Sequence, residues 1–313
     1  MPIKWKSKIL LAELDETYGT DPTPAGADNA ILATNIVLSP MEGQDVSRDL
    51  ELPWLAAQAT IPAGLYMRIQ YRVELVPSGA AGTPPAWAPL LLAMGTAETV
   101  SAATSVAYNP VSDVHPSVTH HFWVGATRFV LKGCRGTAVL RFTAQGIPYL
   151  ECDFRGLFTA PSEQTRAVPD LSNFLKPDIV SKANTPTFTV DGVSLVMRSL
   201  AFDLGNDVQF RGLVGPAGAE SILIVDRAES IAVQVEAVPL STWNPFTKAA
   251  TQASVAVGLV HGTAAGKIAT LAVAGAQVMR PSEFRNEQGI LEWGLRLTPL
   301  PTTGNDQWTL TLT

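Results

Sequence analysis

The chain has 313 residues, of which 46% are apolar and only 16% charged, and its formal net charge is −6. The charged fraction is well under the ~25% of an average soluble chain, so much of the surface is expected to lie against partners. The acidic balance argues against a nucleic-acid-binding surface, because phosphate affinity comes from clustered Lys and Arg that release counterions. The length suffices for two domains, each with its own core.

Residues 1–30 read as an N-terminal arm. Its apolar run, Ile9 to Ala12, is cut short by Glu13 and Asp15, too short for a secretion signal, and nowhere in the chain does an apolar stretch approach the ~20 residues of a membrane span. Folding in a cytoplasm, away from any membrane, is the expectation. Gly19, Pro22, Pro24 and Gly26 break any periodicity, so the arm is expected to be disordered or ordered by a neighbour. A short strand follows at 31–40, then a polar loop over 41–62 without structure of its own. From Leu65 to Leu75 apolar and polar residues alternate strictly, a strong strand signal. Residues 85–94 (PAWAPLLLAM) predict a helix, with prolines in its first turns and Gly95 as its cap.

Strands are predicted at 119–124, 128–132, 137–142 and 149–158, completing a first domain over 31–162. A proline-rich linker over 163–186 leads to a second domain over 187–313. There, strands are expected around 188–190, 199–204, 221–225, 231–238, 253–260, 268–273, 291–297 and 308–312, with a helix near 243–251. Cys134 and Cys152, the only cysteines, are expected as buried free thiols.

Three blocks occur twice in the same order. IQYRVELVP at 69–77 matches IAVQVEAVP at 231–239, Trp87 and Pro89 match Trp243 and Pro245, and Gln145-Gly146-Ile147 matches Gln288-Gly289-Ile290. The last match puts Leu150, Cys152 and Phe154 in register with Trp293, Leu295 and Leu297. The fold class expected is therefore mainly β: two copies of one sandwich or barrel domain, each with about one flanking helix.

A search for chemistry yields little. His115, His120 and His121 crowd together without the spacing of a zinc site. GTAAGK at 262–267 has three intervening residues where a phosphate loop needs four, and Ile268 stands where Ser or Thr belongs. Glu151 and Asp153 share the solvent side of a strand, which simple alternation also explains. No enzyme, metal or cofactor is expected.

The segments at 17–50 (TYGTDPTPAGADNAILATNIVLSPMEGQDVSRDL), 82–95 (GTPPAWAPLLLAMG) and 130–161 (VLKGCRGTAVLRFTAQGIPYLECDFRGLFTAP), with the closing DQWTLTLT, resemble major tail tube proteins of long non-contractile phage tails, those of Mu-like and related siphophages of Gram-negative bacteria. The resemblance implies a virion protein, assembled in the host cytoplasm, that stacks in rings around a DNA-conducting channel. It also implies tape measure and tail terminator or tip proteins as partners. With two copies per chain, trimeric rings of pseudo-sixfold symmetry are expected, with hexameric rings carrying the second domain outside as the competing arrangement.

Glu42, Asp45, Arg48, Asp49, Glu51, Trp54 and Leu55 in the 41–62 loop are the candidate inter-ring contacts, charge setting register and Trp54 supplying buried area. Gln70, Glu74, Gln234 and Glu236, on wet strand faces, are the candidate channel lining. A carbohydrate-binding or adhesin β-sandwich is the alternative, with Trp54 and Trp87 as its aromatic candidates.

Overall fold

The computed structural model describes residues 2–215, 220–281 and 283–313. Strands hold 51% of the chain and two short helices 4%, which places it in the mainly β class.

The first half contains β1 (Lys8–Leu14), β2 (Ala33–Ser47), β3 (Thr60–Glu74), α1 (Ala88–Leu92), β4 (Thr96–Ser101), β5 (Ser105–Pro110), β6 (Val118–Val124), β7 (Thr127–Thr143), β8 (Tyr149–Leu157) and β9 (Ser162–Glu163). The second contains β10 (Thr187–Val190), β11 (Val193–Ser194), β12 (Met197–Asp203), β13 (Asn206–Gly212), β14 (Glu220–Arg227), β15 (Ser230–Glu236), α2 (Pro245–Ala250), β16 (Ser254–His261), β17 (Ala269–Val278), β18 (Glu283–Glu287), β19 (Ile290–Pro299) and β20 (Thr309–Leu312).

Alternation decides which side each strand buries. In β3 it puts Met67, Ile69, Tyr71 and Val73 almost wholly inside. Eight strands then join edge to edge, antiparallel throughout, in the order β2-β3-β8-β7-β12-β15-β19-β18. One face of this sheet is apolar and covered by a second layer. Over the first half that layer is β1-β6 with the first part of β7 and β9; over the second it is β11-β10-β16-β17-β20-β5-β4. β7 serves both layers by bending at Gly133, whose φ of 59° suits glycine and where an added Cβ would meet the Tyr18 ring at 2.9 Å.

The matched sequence blocks pair in matched register. Val73, Tyr71 and Ile69 stand opposite Leu150, Cys152 and Phe154, as Val235, Val233 and Ile231 stand opposite Trp293, Leu295 and Leu297. On the other side of these strands, Ala33 and Leu38 face Val73 and Ile69, while Met197 and Phe202 face Val235 and Ile231. Five steps along β2 or β12 thus span four along its partner, so each strand carries one extra residue within this stretch, a β-bulge between Thr34 and Val37 in β2 and between Met197 and Ser199 in β12. A second bulge is shared: Val118 and His120 oppose Cys134 and Leu131, and Val255 and Val257 oppose Ala276 and Val273.

Several expectations are corrected. The arm is not without structure, because Lys8–Leu14 pairs with β6 along its whole length and buries Leu10 and Leu11. The supposed loop at 41–62 is in part a projecting hairpin arm: β2 runs on to Ser47 and β3 begins at Thr60, while 48–59, rather more than half of it, is unpaired. Its counterpart in the second half is the β13–β14 hairpin. The two separate segments expected at 128–132 and 137–142 are one strand, β7.

The two halves are interlocked rather than strung on a linker. β12 lies against β7 and β20 against β5, so both layers cross the midline. At the first of these junctions Leu140, Phe142, Leu200 and Phe202 are buried to within 1%, with Phe202 edge-on to Trp308 at 5.3 Å. Burial of four such side chains stabilises the junction by up to about 6–12 kcal/mol. Val180, within the expected linker, is buried and bonds through its backbone to Gln145 and Gly146. Both cysteines are free and buried.

Candidate assembly edges and the polar sheet face

The eight-stranded sheet ends on two strands with one partner each among the described residues: β2 pairs only with β3, and β18 only with β19. Such edges present unpaired backbone groups and pair readily with another chain. The apolar side of the β18 edge is bare. Phe284 is 65% exposed and Leu291 50%, beside the half-exposed Phe246, whose ring lies 6.2 Å from Phe284. Their counterparts at the internal junction are sealed.

Beside the β2 edge lies a mostly apolar groove of about 730 Å³, formed by Trp5, Lys8, Leu10, Ile31, Ile36 and Leu171 among others. Lys8 donates from Nζ to the Ile36 carbonyl at 3.0 Å and stacks over the Trp5 ring at 3.8 Å. Burial lowers its pKa.

The face of the large sheet opposite the core is polar and laced with ion pairs. Arg68 binds Asp153, with Nε 2.8 Å from Oδ1, and Arg72 and Arg141 both reach Glu151 at 2.8 and 2.9 Å. On the second half Arg198 clamps Glu292, which also accepts from Gln234 at 2.5 Å. Arg285 then donates to Gln234 Oε1 at 3.1 Å and to Glu283 at 2.8 Å. The Arg198 hydrogen bonds hold the buried Glu292 carboxyl below the usual carboxylate range against the desolvation that would raise it. The five arginines named here therefore meet four carboxylates, Glu151 serving two of them.

The expected lining residues fall on this face. Gln70 is exposed and donates to Asp153 at 3.0 Å, Glu74 is half-buried and Glu236 exposed. Gln234 is instead 8% exposed, tied into the Arg285–Glu292 network. Burial raises the pKa of Glu74.

The expected contact residues cluster on the hairpin arm. Glu42 lies opposite Tyr66 and Asp45 opposite Pro62, while Arg48, Asp49, Glu51, Trp54 and Leu55 sit at its exposed tip, with Trp54 64% exposed. Gln58 clamps the tip to Leu50 through two bonds of 2.7 and 2.6 Å. The β13–β14 hairpin folds back across the polar face of the first half. There Phe210 stacks on Tyr66 at 5.6 Å, Arg135 donates to the Ile222 carbonyl at 2.8 Å and the Ile222 amide donates to the Tyr18 hydroxyl at 2.6 Å.

Trp87, an aromatic candidate for glycan contact, is 1% exposed and donates to the Val76 carbonyl at 2.8 Å, so it belongs to the core. His120 is sealed against Tyr71, 2.8 Å from its hydroxyl, and burial lowers its pKa to about 3. His121 meets Asp21 at 2.9 Å. Among the described residues no cluster of His, Cys, Asp and Glu could hold a metal ion, and no helix is long and apolar enough to cross a membrane. The β18 edge is not legible in the sequence because a five-residue strand with four exposed residues carries no alternation.

No protein-family model matches the chain, and no curated protein matches it by sequence.

Proposed function

We propose that this chain is a structural virion protein that polymerises through its sheet edges into stacked rings, forming the tube of a long, non-contractile phage tail. The observation carrying this reading is the internal junction: half of the chain already extends the other half's sheet edge to edge, and the same two kinds of edge stay open at the ends. A heterologous contact of this type closes into a ring when its rotation permits.

Three chains supply six copies of the repeated four-strand unit, hence trimeric rings of approximate sixfold symmetry. Their combined twenty-four strands, at ~4.8 Å spacing, give a barrel on the order of 40 Å across, wider with strand tilt. The apolar face is already covered by the second layer, so the polar face, where the β13–β14 hairpin leaves it open, lines the channel. A polar wall on which Arg68, Arg72, Arg141, Arg198 and Arg285 meet carboxylates lets DNA pass with less of the counterion release that makes basic surfaces adhere. The hairpin arm, with Trp54 and Leu55 at its tip, stacks one ring on the next. Tape measure and terminator or tip proteins are the partners that such a tube implies, and the tail is its location.

Negative-stain microscopy of concentrated protein is expected to show rings or tubes, and native mass spectrometry three chains per ring. Rings of six chains with the second half as outer decoration would overturn the stoichiometry. A protein that stays monomeric at every concentration would overturn the function.

A further inference from the structure

We infer that the ring contact is one defined ladder, in which β18 of one chain adds to β2 of the next, antiparallel and in the register of β7 on β12. The inference rests on the assembly reading above and fixes which residues meet. Leu140 and Phe284 occupy equivalent places, since Leu140 faces Leu150 and Phe284 faces Trp293, residues that are themselves matched. Phe202 and Leu38 are likewise equivalent, facing Ile231 and Ile69 one bulge away from Met197 and Ala33.

Inside the chain Phe202 pairs with Leu140, Ala201 with Arg141 and Ser199 with Thr143. Transferred to the open edges, this puts Leu38 opposite Phe284 and Val37 opposite Arg285. Ser39 falls opposite Glu283.

Two further features fit a second copy as the occupant. At the internal junction the turn after Thr143 packs over β12, with the Ala144 amide donating to the Arg198 carbonyl at 2.8 Å. The matching turn after Glu287 then lies over the groove beside β2. There the exposed Phe284 and Leu291 meet Leu10, Ile31 and Ile36, which line the groove. The groove and the bare apolar rim thus complement one another in polarity, as the buried internal pair does.

Cysteine cross-linking reads the register. Directly opposed strand residues have Cα atoms about 4.5–5.5 Å apart, within the disulfide range, whereas diagonal neighbours lie ~7–8 Å apart, outside it. Val37→Cys with Arg285→Cys should link chains under mild oxidation at least tenfold more than Val37→Cys with Glu283→Cys or with Glu287→Cys. Mixing the two single variants should give the same link, showing that it runs between chains. Cys134 and Cys152 are buried and do not compete. Ser39→Cys with Glu283→Cys is the second in-register pair, should loss of the Arg285 contacts impair assembly. Assembled rings in which neither in-register pair links, or in which a diagonal pair links better, overturn this junction and leave self-assembly standing. A chain that stays monomeric by sedimentation and forms no link overturns both.

Discussion

Leu140 and Phe284 hold equivalent places in the two halves, yet Leu140 is 1% exposed and Phe284 65% exposed, which makes opposite predictions for the same kind of truncation. Leu140→Ala leaves a cavity between β7 and β12 and should cost about 2–5 kcal/mol. Unfolding entropy of ~2.1 cal/mol/K per residue amounts to roughly 0.66 kcal/mol/K for this chain, so Tm should fall by about 3–8 °C if the interlocked halves melt together. Phe284→Ala should leave the protomer's Tm within about 1 °C, because exposed positions shift stability by less than ~0.5 kcal/mol. What it loses is contact area in the ring. Full burial of a Phe is worth ~1.5–3 kcal/mol, and about two-thirds of that remains to be gained, so each junction weakens by about 1–2 kcal/mol, or roughly 5–30-fold in Kd. Circular dichroism melts at dilute concentration read the first effect and sedimentation velocity across a concentration series the second. If Phe284→Ala lowers Tm as much as Leu140→Ala does, or leaves assembly unchanged, the equivalence of the two edges is wrong.

Trp54→Ala combined with Leu55→Ala should leave rings and protomer Tm intact but stop tube elongation; normal tubes by electron microscopy would remove the arm from the stacking contact. Acid should destabilise the protomer. His120 is held neutral with a pKa of about 3 against 6.5 for a free His, so its contribution is complete above about pH 6.5 and shrinks as pH falls toward 3, by on the order of a few kcal/mol. Glu292, with its pKa depressed by Arg198, adds a loss below about pH 4.5, and a Tm that is flat from pH 7 to pH 3 would contradict both. Gly156→Ala would bring a Cβ within 2.4 Å of Cys134 Sγ and 2.9 Å of Leu131 Cβ, so it should cost about 1–3 kcal/mol, measured by urea unfolding; an unchanged midpoint would show that β7 and β8 can separate there.

The repeat was legible where burial constrained it. β3, β15, β8 and β19 pack a full apolar face, so matched residues such as Val73 and Val235 survive in both halves and pair alike. Between β2 and β12 the shared element is a bulge and a register, which leave no common residues in ILATNIVL and LVMRSLAF. β1 escaped notice because its few apolar residues sit among charges, although seven backbone positions pair with β6. The arm was read as a loop because its strands bury nothing, and main-chain pairing alone writes no hydrophobic period. As for the candidate lining, alternation placed Gln70, Glu74 and Glu236 on the polar face, while the burial of Gln234 depends on Arg285 and Glu292, distant in sequence and invisible to any local pattern.

The β20–β5 pairing sets residues 310–312 against 106–108. A ribosome making this protein must release those late residues before the second layer can close over the midline, and closing contacts so far apart in sequence is slow. Until then the β4–β5 hairpin and the β17 flank remain open edges of their own, competing with those that build the ring. Chaperone cover during synthesis, or low nascent-chain density, would decide whether protomers mature before they meet. The interlock thus acts as a checkpoint in time: β5 and β17 stop offering those edges once residues 310–312 have been read.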